Sequence, residues 1–107
     1  MQERFVRAAS VGELSPGDMK VVVVDGKEVA LANAGGRFYA FSNACSHLEC
    51  PLAEGTLDGE TVECPCHGSL FNVRSGAVLD GPAQRPIAVY DVQVQGDVIL
   101  VGALFHK

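Results

Sequence analysis

The 107-residue sequence has no apolar stretch approaching the ~20 residues that a membrane-spanning helix needs; its longest runs, such as Val21–Val24, are four residues. It is poor in basic residues, with eight Lys and Arg against thirteen Asp and Glu and a net charge of −5. Phosphate recognition needs a concentrated basic face, so nucleic acid is excluded as an expected partner. The start, Met1-Gln2-Glu3-Arg4-Phe5, has neither a basic segment leading into an apolar one nor a twin-arginine pair, and the expectation is a cytoplasmic protein with no membrane partner. The length allows one domain with a modest core and no cleft between two domains. Cysteine is scarce too, four residues with three histidines, well below a disulfide-scaffold composition. Yet all four cysteines and two of the histidines fall between positions 45 and 67.

What is present is a series of short apolar runs separated by turn dipeptides, which predicts an all-β domain. Val21–Val24, Asp25-Gly26-Lys27 and Val29–Ala32 read as a hairpin, since glycine supplies the positive φ of a tight turn. Gly35-Gly36 marks the next turn and leads into Arg37-Phe38-Tyr39-Ala40-Phe41. Ala88, Tyr90, Val92 and Val94 alternate with Val89, Asp91, Gln93 and Gln95, and Gly96-Asp97 then turns the chain into Val98–Val101. The one helical turn expected surrounds Ser10–Leu14, where Ser10 and Glu13 have capping-box spacing. No repeat or linker interrupts the chain, so residues 1–107 are expected to form one compact unit. Segment 45–67 breaks the strand pattern.

Two segments there carry chemistry: Cys45-Ser46-His47-Leu48-Glu49-Cys50 and Cys64-Pro65-Cys66-His67-Gly68-Ser69. Each pairs a thiol with an imidazole, and sixteen residues separate His47 from Cys64, so two loops can converge on one metal. Two cysteines and two histidines also satisfy tetrahedral zinc, but common zinc knuckles place a cysteine pair before a histidine pair, whereas here each loop offers one of each. Cys64-Pro65-Cys66 has one intervening residue, too few for a thioredoxin-type dithiol. Glu49, Glu54, Asp58, Glu60 and Glu63 lie between Cys45 and His67 with no Lys or Arg. They read either as a solvated acidic surface or as a face presented to a basic protein partner.

The pattern Cys-x-His, sixteen residues, Cys-x-x-His resembles that of the Rieske-type iron–sulfur proteins, and most of the chain is similar to the small Rieske ferredoxins of bacterial ring-hydroxylating dioxygenase systems. The resemblance implies an antiparallel β-sandwich whose cluster-binding subdomain, about residues 43–83, is formed by two loops and shielded by a third, matched here by Gly81-Pro82-Ala83. It implies one [2Fe–2S] cluster, with Cys45 and Cys64 on one iron and His47 and His67 on the other. Two ferric ions, two sulfides and two thiolates sum to zero charge when the histidines are neutral, whereas four thiolates would leave minus two. Mixed ligation therefore raises the potential from near roughly −400 mV into the window of about −150 to +300 mV. An imidazole nitrogen not bound to iron can also couple proton uptake to electron uptake.

By the same resemblance, Cys50 and Cys66 match the second cysteine pair of the cytochrome bc-type Rieske proteins, where a disulfide joins the cluster loops. Two reduced thiols, favoured by the cytoplasm, are the alternative. Ser69 matches a serine that donates to a bridging sulfide, and Phe71 stands where high-potential relatives have a tyrosine, so an intermediate potential is expected. Leu48 reads as core or as a lid over the cluster, and Pro82 as a turn proline or a second lid. His106 is the remaining histidine and reads as a solvent-facing residue.

A terminal oxygenase that shares the motif also needs a non-haem iron held by two histidines and a carboxylate, and His106 alone cannot supply it. The expected function is therefore a one-electron carrier, not an enzyme, with no direct small-molecule substrate. It would take electrons from a flavin-containing NAD(P)H reductase and pass them to a terminal oxygenase. The alternatives are a Rieske-like small subunit of a nitrite reductase or another multi-component oxidoreductase, and a zinc-stabilised interaction module.

Overall fold

The computed structural model describes residues 4–46, 49–66 and 68–106, the last three of these through their backbone alone. Ten strands run through the described residues. In chain order they are β1 (Phe5–Ser10), β2 (Met19–Val24), β3 (Lys27–Ala34), β4 (Arg37–Ser42), β5 (Thr56–Asp58), β6 (Thr61–Glu63), β7 (Leu70–Asn72), β8 (Val78–Asp80), β9 (Val89–Gln95) and β10 (Val98–His106). They form a six-stranded sheet, β1-β10-β9-β4-β3-β2, and a four-stranded sheet, β5-β6-β7-β8, with antiparallel pairing throughout.

The hairpins follow from their turn residues. Between β2 and β3 the register closes at Val24 opposite Lys27, leaving a two-residue loop in which Asp25 and Gly26 have φ of 51° and 78°. Both central residues of such a turn need positive φ, which an Asp-Gly pair tolerates. The larger sheet curls until its two edges meet, and Arg4 ahead of β1 pairs with Asp25 at the end of β2. Inside the curl lie Ala9, Leu14, Val22, Val24, Val29, Leu31, Ala40, Tyr90, Ile99 and Val101.

A second core joins the two sheets. Ala30, Ala32 and Phe41 from β3 and β4 meet Val62 and Phe71 from β6 and β7, together with Cys45, Leu52 and Cys64. Strand β3 is therefore buried on both faces, which explains why Val29–Ala32 is an unbroken apolar run rather than an alternating one. The Tyr39 hydroxyl donates to Glu60 across the junction at 2.8 Å. That bond to a carboxylate holds the phenol above its usual pKa.

Strand β9 alternates as expected at Tyr90 and Val92, which pack on the enclosed core, while Val94 at its end is 48% exposed. The turn after Ser10 is a single 3-10 turn, Val11–Glu13, with the Glu13 carboxylate accepting the Ser10 N–H at 2.7 Å. Two features depart from the expectation. Segment 45–67 contains the β5–β6 hairpin, and Leu52–Glu54 forms a second 3-10 turn. Three-residue strands carry too little pattern to be read locally. Here they are held by burial of Val62 and by pairing with β7, and the second turn is held by burial of Leu52.

Candidate metal centre

The two cysteine–histidine segments adopt the same backbone turn. In the first, the Cys45 carbonyl accepts the Glu49 N–H at 2.7 Å, and the Cys45 N–H donates to the Cys50 carbonyl at 3.0 Å. In the second, the Cys64 carbonyl accepts the Gly68 N–H at 3.2 Å, and the Cys64 N–H donates to the Ser69 carbonyl at 2.9 Å. Each turn closes through a residue in the left-handed region, Glu49 at φ 57° and Gly68 at φ 77°. Cys45 and Cys64 thus occupy equivalent places and are 1% and 3% exposed. Neither takes part in a disulfide. His47, Leu48 and His67 lie outside the described residues, as does the side chain of His106.

Neighbouring polar groups hold the first turn in place. Asn43, 4% exposed, accepts the Ala53 N–H at 2.9 Å and donates to Glu28 at 3.1 Å. A bridge between Ala44 and Pro51 closes the base of the loop. A buried amide satisfied on both sides is costly to displace, so Asn43 fixes where Cys45 emerges. Sequence reasoning missed it, because the partners lie 10 and 15 residues away.

A covalent tie joins the loops. Cys50 and Cys66 form a disulfide with Cα atoms 6.3 Å apart, the pairing that the resemblance implied. The sulfurs of Cys50, Cys64 and Cys66 all lie within 4.8 Å of one another, so the bridge rests against the Cys64 sulfur. While bonded, Cys50 and Cys66 offer no thiolate, which leaves Cys64 as the one thiol among the three that could hold a metal.

The third loop follows β8. At Gly81, φ 93°, an added Cβ would stand 2.6 Å from Ser69 Cα, so the backbone there presses against the second loop in a way only glycine permits. Pro82 is exposed, while Ala83 is buried and donates its N–H to Ser69 Oγ at 3.1 Å. Ser69 is fully buried. A hydroxyl that accepts there still has its own proton to give, which suits a sulfide or thiolate beside it. Phe71, also fully buried on β7, packs in the same core as Cys45 and Cys64 and has no hydroxyl to contribute.

Matching turns, two buried thiols and an apolar wall fit a centre that carries little net charge, because burying uncompensated charge is expensive. Glu49, Glu54, Asp58, Glu60 and Glu63 are all exposed.

Known proteins agree with this geometry. The profile of the Rieske [2Fe-2S] domain matches residues 4–91. The biphenyl dioxygenase ferredoxin subunit of Pseudomonas sp. (strain KKS102) is 41% identical over 98 residues, covering 91% of this chain and 90% of its own length. The structure of the ferredoxin of carbazole 1,9a-dioxygenase from Nocardioides aromaticivorans IC177 is similar with a TM-score of 0.87 and 42% identity, covering 91% of this chain and 95% of that one. A second structure, a complex of reduced oxygenase and oxidized ferredoxin in carbazole 1,9a-dioxygenase, is similar with a TM-score of 0.91 and 32% identity, covering 96% of each chain.

Proposed function

Since the chain belongs to the Rieske [2Fe-2S] domain family, we propose that it is a one-electron carrier passing electrons from a flavin-containing NAD(P)H reductase to a terminal oxygenase such as an aromatic-ring dioxygenase. Relatives that it matches along nearly their whole length are ferredoxin components of dioxygenase systems. The observation that carries the reading is the pair of matching turns that place Cys45 and Cys64 in one buried apolar core. The cluster, when bound, takes up one electron at a time and gives it back.

The chain's residues divide the remaining work. In this proposal Cys45 and Cys64 hold one iron, and His47 and His67 hold the other at the outer end. The cluster-binding part spans about residues 43–83 within a single domain. Ser69, anchored by Ala83, directs its proton inward, while Leu48 and Pro82 keep water from the centre. The exposed acidic residues orient a basic partner before contact. No helix among the described residues is long and apolar enough to cross a membrane. We place the carrier in the cytoplasm, where NAD(P)H is available.

Electron paramagnetic resonance of the reduced protein, combined with iron and acid-labile sulfide analysis, tests the reading. A rhombic Rieske-type signal with two irons and two sulfides per chain is expected. A colourless protein containing zinc and no sulfide would overturn it in favour of an interaction module. Stable copurification with a large sirohaem protein would reassign the chain as a nitrite reductase subunit.

A further inference from the structure

The three loops at the centre, residues 43–51, 64–69 and 80–87, contain a single basic side chain, Arg85, alongside the acidic Glu49 and Asp80. Arg85 also makes the contact that closes the loops on one another. Ser46, between Cys45 and His47, donates its hydroxyl to the Arg85 carbonyl at 2.5 Å, and the Arg85 guanidinium donates to the Ser46 carbonyl at 3.4 Å. The two residues are 39 apart in sequence. The third loop is anchored to the second through Ala83 and Ser69 and to the base of the fold through Ile87 N–H and the Gly76 carbonyl. With Ser46 and Arg85 added, the third loop spans both cysteine loops as a strap.

We propose that the Ser46–Arg85 contact fastens this strap over the cluster and that Arg85 is a positioning residue whose positive charge favours the reduced state. The inference rests on the cluster reading above. One-electron reduction adds a negative charge to the centre, and a nearby cation stabilises that charge relative to the oxidised state. Arg85 is exposed, so its influence is screened by salt. The Ser46 hydroxyl acts mechanically: it ties the backbone beside the cysteine to the third loop, and its loss lets the strap swing open to water and chelators.

The test uses the cluster-loaded protein. Arg85→Gln is expected to lower the midpoint potential in voltammetry, with a gap from the wild type that narrows as salt is added, while Arg85→Lys keeps the wild-type value. Ser46→Ala is expected to lose its visible absorbance to a chelator about fivefold faster, the rate ratio of a bond worth about 1 kcal/mol, and Ser46→Thr to restore retention. A wild-type midpoint in Arg85→Gln, or wild-type cluster retention in Ser46→Ala, overturns the proposal. If Ser46→Ala assembles no cluster, the exposed Arg85 variants still decide. Iron and sulfide analysis of the wild type separates the two failures: no iron means the cluster reading is wrong, whereas a full cluster with unmoved variants means the strap is wrong.

Discussion

Glu49 and Gly68 hold the same position in the two cysteine loops, each with positive φ and each donating its N–H to the carbonyl of the cysteine four residues earlier. Glycine reaches that conformation freely, whereas a residue with a Cβ is held there at about 1–2 kcal/mol. Gly68→Ala is therefore expected to destabilise the loaded protein by about 1 kcal/mol or somewhat more. Its Cβ has room, with Glu63 Oε2 the nearest atom at 3.6 Å, so the loss is conformational and not steric. Glu49→Gly should raise stability by roughly 0.5–1 kcal/mol, less than the full strain because glycine also enlarges the unfolded ensemble. Thermal unfolding of the two variants in opposite directions is the check.

Gly81→Ala meets backbone instead of open space, with Ser69 Cα at 2.6 Å and Ser69 N at 3.1 Å. The third loop must move away and release the Ala83 N–H from Ser69. A loss of about 2 kcal/mol or more and faster cluster loss are expected, a larger effect than that of Gly68→Ala or Glu49→Gly.

Ser69→Ala removes the acceptor of a buried N–H together with the hydroxyl proposed to donate to the cluster. Stability should fall by about 1–3 kcal/mol for the unsatisfied Ala83 N–H, and the midpoint potential should fall as well. Phe71→Tyr, on the same wall, should raise the potential by adding a hydroxyl near the cysteine sulfurs. Wild-type voltammetry should give a midpoint above typical dioxygenase ferredoxins and below bc-type proteins. A value at either extreme would contradict the part assigned to these two positions.

The Cys50–Cys66 bridge encloses a separation of 16 residues, for which chain entropy allows about 3 kcal/mol. The double substitution Cys50→Ser with Cys66→Ser should lower stability by up to that amount. Thiol titration of the unfolded, unreduced protein after cluster removal should find two thiols, Cys45 and Cys64. Finding four would show that the bridge is absent in solution.

Electron transfer to a basic partner should slow as salt is added, because Glu49, Glu54, Asp58, Glu60 and Glu63 are exposed. Stopped-flow rates across an ionic-strength series give the slope. Replacing Glu49 and Glu63 with Gln should flatten it, and an unchanged slope would mean that these carboxylates are only a solvated surface.

Local features were legible without a structure. Turn dipeptides, the period of two in β9 and the cysteine–histidine spacing each depend on residues a few positions apart, and together they indicated the all-β fold and the resemblance to the Rieske family. The β5–β6 hairpin and the Leu52–Glu54 turn were not legible, because Val62 and Leu52 stabilise them only by burial in a core shared with β3, β4 and β7. Nor were the supports of the site. Asn43 with Ala53 and Glu28, Ser69 with Ala83, and Ser46 with Arg85 are hydrogen-bonded across 10 to 39 residues. The sequence by itself determined which atoms can bind metal, since that is a property of side-chain chemistry and spacing. Only the tertiary structure decided how the turns that carry Cys45 and Cys64 are held, because polar groups so far apart along the chain become partners only when the closing of two sheets brings them within a bond length of about 3 Å.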